Sequence, residues 1–211
     1  MPTDINSILS LQKTDDIITE LKRKIPSPPL WSELAKDYDI KHHDIMNEAT
    51  YQDVSVMEGG KVVRVPLSLE QLATNRLTGL TFGIPVTRIY DAQDERAQRA
   101  QAIMEQIYKK NRINALNLER GVHFFAGCEI ATLWYLVDSA PHYDYGEKCN
   151  YKIRRRTYTP MNGDGIYPLF DDDLDLIALS FEYNYYNGVD TRRFFDTFTD
   201  TWHIRWEQTN K

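Results

Sequence analysis

"GIYPLFDDDLDLIALSFEYNYY", running from Gly165 to Tyr186, decides the fold class. Apolar and aromatic residues alternate on either side of the acidic run Asp171–Asp175, the period-2 pattern of two strands joined by a turn. A glycine turn at Gly188 and the segment "TRRFFDTFTDTWHIRWEQ", Thr191 to Gln208, continue the alternation. "YKIRRRTYTPM", Tyr151 to Met161, precedes it and is also β in character, with "NGDG" at Asn162–Gly165 as a turn signal. Tyrosine is frequent, 13 of 211 residues, and the rings concentrate in this C-terminal part. Aromatics at strand positions more often pack across strands than stack on ligands, so these rings read as sheet core.

Working outward, the N-terminal two thirds is helical in period. "TDINSILSLQKTDDIITELKRKI" carries Ile5, Ile8, Leu9 and then Ile17, Ile18, Leu21 at helical spacing, fitting two short helices or one broken one. The three prolines of "IPSPPLW" stop it, because proline lacks the amide donor and restricts the residue before it. "SELAKDYDIKHHDIMNE" is helical in period, and the valines around Gly59-Gly60 predict a hairpin. "SLEQLATNRLTGLTFG" begins with a capping Ser68 and lines up Leu69, Leu72, Ala73, Arg76, Leu77 and Leu80. Gly83 is placed to end this helix in the left-handed conformation, Pro85 blocks its resumption, and "VTRIY" then reads as a strand. "DERAQRAQAIMEQIYKKNRI" is the clearest amphipathic helix, and a second helix runs to a break at Gly127. "EIATLWYLVD", Glu129 to Asp138, then reads as a buried strand. The class is α+β: N-terminal helices with a mostly antiparallel sheet. Residues 1–30 form a helical arm with a Pro-rich linker, and residues 31–211 one compact α+β domain.

Composition narrows the function classes. The chain is 42% hydrophobic and 27% charged, as a folded globular protein is. Its net charge of −6 disfavours a surface that grips nucleic acid throughout. Two cysteines, Cys128 and Cys149, suit a reducing compartment, and the sequence shows neither an export signal nor the ~20 apolar residues of a membrane span. A soluble protein of cytosolic origin is expected.

Candidate chemistry is sparse. Adjacent His42 and His43 on a helix diverge by about 100° and cannot share a metal in the usual i, i+4 manner. His123, Cys128, His142 and Cys149 match no zinc finger or ribbon spacing. Asp171–Asp175 lacks the glycine and closing glutamate of a calcium loop. No phosphate-cradling glycine loop, nucleophile elbow or His-Glu-x-x-His occurs. No catalytic residue, cofactor or metal is expected. Arg154, Arg155 and Arg156 form the one concentrated basic patch, and on a strand they alternate between two faces.

Several motifs in order resemble the portal proteins, or head-to-tail connectors, of tailed bacteriophages. They are a helix ending in "FGIPV" at Phe82–Val86, "NR" at Asn111-Arg112, a helix closing on Gly127 before a strand reaching Tyr135, and Pro168–Tyr183. The resemblance covers about Lys61 to Trp206, and the long channel-lining helices and crown that follow in that family are absent here. It implies a wing-like region of a subunit in a homo-oligomeric, dodecameric ring at a capsid vertex, a virion component assembled in the bacterial cytoplasm. Its partners would be other portal subunits, the packaging motor, scaffold and neck proteins. DNA would pass through the channel without sequence-specific binding, and no membrane and no catalysis would be involved. Under this resemblance the Leu72, Leu77, Leu80 face is core. Opposite charge then pairs Arg154, Arg155 and Arg156 of one subunit with Asp171, Asp172 and Asp173 of its neighbour. A free-standing α+β protein-interaction module, or a degenerate prophage remnant, is the alternative.

Overall fold

The computed structural model describes residues 4–23, 28–47, 49 and 64–208, and the hairpin expected around Gly59-Gly60 lies outside them. Among the described residues the fold is α+β, with six α-helices and six strands. The helices are α1 (Ile5–Leu9), α2 (Thr14–Leu21), α3 (Trp31–Tyr38), α4 (Leu69–Phe82), α5 (Glu95–Lys110) and α6 (Ile113–Gly127). The strands are β1 (Ala131–His142), β2 (Cys149–Tyr158), β3 (Gly165–Phe170), β4 (Leu176–Tyr186), β5 (Thr191–Phe198) and β6 (His203–Gln208). β1 and β2 form a two-stranded ribbon, and β3-β4-β5-β6 an antiparallel sheet in chain order. Among the described residues no helix is long and apolar enough to cross a membrane.

Internal packing divides the chain into two units. The sheet unit takes in residues 1–28, 129–131 and 158–211, and the helical unit residues 29–128 and 132–157. In the sheet unit, Ile17 and Leu21 of α2 pack with Leu169, Ala178 and Phe195, and Ile5, Ile8 and Trp206 close around them. The helices read as an arm therefore form a layer on the sheet, because their apolar stripe needs a partner and the sheet offers one. On the opposite face Tyr158 stacks on Phe181 with ring centroids 4.1 Å apart, and Phe198 meets Phe181 edge-on at 5.9 Å. The tyrosine-rich segment thus packs ring on ring, as the alternation predicts.

The helical unit is built on α4 against α6, with α3 touching both. Ser68 caps α4 by accepting the Gln71 N–H at 3.2 Å, and its hydroxyl donates to the Tyr38 carbonyl at 2.7 Å. Asp94 caps α5 through the Ala97 N–H. Ion pairs from Arg99 to Glu147 and from Lys110 to Asp144, the latter at 2.9 Å, tie α5 to the β1–β2 connection.

Here five sequence expectations give way. The buried residues of α4 are Thr74 and Thr78, whereas Leu72 and Leu77 are exposed and Leu80 is 84% exposed. The cause is Gly121 on α6: a Cβ there would stand 2.7 Å from the Phe82 ring and 2.9 Å from the Thr78 methyl group. The helices approach over small side chains, and the leucines are left on the far side. Gly83 ends α4 in the right-handed region, φ −65°, with its N–H on the Gly79 carbonyl at 2.9 Å, so the left-handed cap is not used. Val86–Tyr90 is irregular, and Ile89 is 93% exposed. β1 is not buried: it pairs with β2 alone, leaving Leu136 and Val137 exposed. His42 and His43 lie in the turn after α3 instead of on a helix, with His42 Nδ1 2.9 Å from Asp39 Oδ2.

Gly121→Val is expected to destabilise the helical unit by about 1–3 kcal/mol, the usual cost of forcing extra methyl groups into a close contact. Urea unfolding followed by circular dichroism measures it, and an unchanged midpoint would contradict the close approach.

Candidate functional site

Strand alternation splits the arginine triplet. Arg155 shares a face of β2 with Ile153, and Arg154 and Arg156 occupy the other. Arg154 is exposed, and Arg155 and Arg156 are half-buried. The acidic expectation resolves differently. Asp171 serves the β3–β4 turn itself: its Oδ1 accepts the N–H groups of Asp173 at 3.0 Å and Asp175 at 2.8 Å. Asp172, Asp173 and Asp175 are exposed around Leu174, which is 79% exposed and held at φ +66°. That left-handed conformation costs a leucine about 1–2 kcal/mol. The turn therefore displays one apolar side chain amid three carboxylates, at some conformational expense.

The helical unit carries an open surface cavity of about 500 Å³. Met104, Ile107, Trp134 and Ile153 give it an apolar lining, and Arg88 and Arg120 bring two guanidinium groups. Arg88 lies over the Tyr108 ring at 4.3 Å. Arg120 donates its Nε–H to Thr132 Oγ1 at 3.0 Å, and among the described residues no carboxylate comes within ion-pair distance of it. Burial pulls the Arg120 pKa below its ordinary value, and the nearby positive charge of Arg155 adds to that, against a smaller opposing effect of Glu119. A guanidinium stays protonated in such a setting, so Arg120 keeps a positive charge that has no carboxylate at ion-pair distance among the described residues. Chemically it suits an anion joined to an apolar group. Sequence pattern does not show this site, because its lining comes from five separate segments between Val86 and Ile153. Its one local signal is Arg120 on a helix whose neighbouring turns supply a single carboxylate, Glu119.

Two further carboxylates are buried in the sheet unit, and both are neutralised in place. Asp196, 1% exposed, accepts two hydrogen bonds from Arg205 at 2.7 Å each and one from the Tyr183 hydroxyl at 2.9 Å. Burial pushes the Asp196 carboxyl up, but Arg205 and Tyr183 together outweigh it and hold it below its ordinary value. Glu182 accepts from Lys22 at 2.8 Å, Arg193 at 2.7 Å and the Tyr167 hydroxyl at 3.1 Å. Burial and the Glu182 charge push the Tyr167 hydroxyl up to about 12. These groups hold α2 and the strands together, and each carboxylate has at least one cation beside it. Among the described residues no three His, Cys, Asp or Glu side chains form a group that would hold a metal, so His123, Cys128, His142 and Cys149 are not gathered into one.

No protein-family model matches the chain, and no curated protein matches it.

Because the folded-state pKa of Asp196 is depressed, its stabilisation is present above the unfolded-state value near 4 and is lost as pH falls through the folded-state value. Acid titration of the fold is expected to show this loss below about pH 4. Asp196→Ala, which removes the acceptor of the Arg205 and Tyr183 hydrogen bonds, is expected to cost about 1–3 kcal/mol at neutral pH and to flatten the acid limb. An acid limb unchanged in the variant would contradict the assignment.

Proposed function

We propose that the chain is a structural subunit region of an oligomeric ring, the wing-like part of a tailed-phage portal at the capsid vertex. The ring is a conduit for DNA packaging and ejection and a platform on which the motor, scaffold and neck proteins dock. The chain itself catalyses nothing in this reading and works as a virion part.

The observation that carries the proposal is the exposed apolar surface of the helical unit. Leu80 on α4 and Ile84 just past its end are 84% and 85% exposed, and Leu136 and Val137 of β1 are exposed as well. Isolated surface leucines need no explanation, but a helix that turns its leucine stripe outward while burying threonines is shaped for a partner. Ring subunits bury such faces against one another. The order of motifs from Phe82 to Tyr183 supplies the family, and the acidic total suits a channel component through which DNA must slide.

Leu80→Asp is expected to leave the unfolding midpoint within about 0.5 kcal/mol of the parent, as for an exposed site, while lowering the oligomer mass of the full reading frame containing this segment. Native mass spectrometry of the two proteins reads the second effect. A single high-order oligomer in the parent, lost or reduced in the variant, supports the ring. A parent that is monomeric points to the free-standing interaction module instead.

A further inference from the structure

We infer that the Asp172–Asp175 turn of one copy docks, Leu174 first, into the arginine-bearing apolar cavity of the helical unit of a second copy. The inference deepens the ring reading and rests on it, since it takes the occupant of the cavity to be another copy of this chain.

The two surfaces match in charge and in apolar character. The cavity offers Arg88 and Arg120 over an apolar lining that includes Met104, Trp134 and Ile153, with Arg155 on the same side of β2 as Ile153. The turn offers an exposed leucine flanked by Asp172, Asp173 and Asp175. An anion with an apolar group attached is the ligand chemistry the cavity suits, and the turn is such a group. At about 500 Å³ the cavity falls in the range that accepts small ligands, ample for one leucine side chain and its neighbouring carboxylates. The occupant is not offered by Asp171, whose carboxylate is already used by the turn's own N–H groups. That use is what points the remaining three acids and the leucine outward. The sequence expectation thus moves from Arg154–Arg156 against Asp171–Asp173 to Arg120 and Arg88 against Asp172, Asp173 and Asp175.

Cavity and turn are different patches of one chain, so the contact is head-to-tail. A contact of that type closes into a ring or runs on as a filament, and it does not stop at a symmetric pair. Leu174 in the left-handed region fits the same account, because strained residues persist where they serve a contact.

Two substitutions test it. Leu174→Gly removes the apolar knob at a position where glycine is conformationally favoured, so the fold is kept. Arg120→Gln removes the cavity charge while leaving a polar side chain. Sedimentation velocity of the chain over a concentration series is expected to show salt-sensitive self-association in the parent, weakened at least about tenfold in each variant. An equimolar mixture of the two variants is expected to recover association but to stop at a heterodimer, since one protein keeps only its knob and the other only its cavity. A monomeric parent, or association undiminished in both variants, overturns the docking. The same substitutions in the full reading frame separate the two claims: rings that persist in both variants overturn the docking and leave the ring, whereas self-association of the chain with no ring in the parent frame leaves the docking and removes the ring.

Discussion

The approach of α4 to α6 over Gly121 governs what the helical unit can do. With no Cβ at that position, Thr78 and the Phe82 ring come into contact with the α6 backbone, and α4 is fixed by its threonine side. A helix has only one face to bury against one neighbour, so the choice of threonines commits the leucines to the outside. The exposure of Leu72, Leu77 and Leu80 follows from that one contact. A larger residue at 121 would push the helices apart, and the same sequence would have a different outer face.

The sheet unit plays the complementary part of a rigid support. Both of its faces are filled, one by α1 and α2 and the other by stacked rings, and its two buried carboxylates are matched by Arg205, Lys22 and Arg193. Fully satisfied buried charge of this kind costs desolvation but leaves little freedom to rearrange. The β3–β4 turn sits at the end of that sheet, and its own acid, Asp171, is spent on holding its shape. A turn held this way presents Leu174 in one conformation, which reduces what ordering it would cost on contact with a partner.

Local chemistry was the legible part of the sequence. The alternation from Gly165 to Gln208 marks the strands, Asp94 and Ser68 mark helix starts, and Gly127 marks the end of α6, because caps and period-2 patterns depend on residues near one another. The face that α4 buries was not legible, since the apolar stripe of Leu72, Leu77 and Leu80 looks the same whether it meets a neighbour in the chain or one outside it. Gly121, 43 residues after Thr78, decides the matter. β1 misled for a related reason: "LWYLV" has the composition of a central strand, yet among the described residues it pairs with β2 alone. The cavity with Arg88 and Arg120 depends on five segments meeting, and no window of sequence contains it. The role of Asp171 was hidden within its own run of aspartates, where only geometry separates the acid that shapes the turn from those it displays.

The central claim, that the outward apolar face and the acidic turn exist for assembly, is tested most directly by negative-stain electron microscopy of the full reading frame containing this segment. Closed rings with a central channel are the expected result, with the helical unit at the contact between neighbouring subunits. Compact single particles with no tendency to associate at high concentration would contradict it.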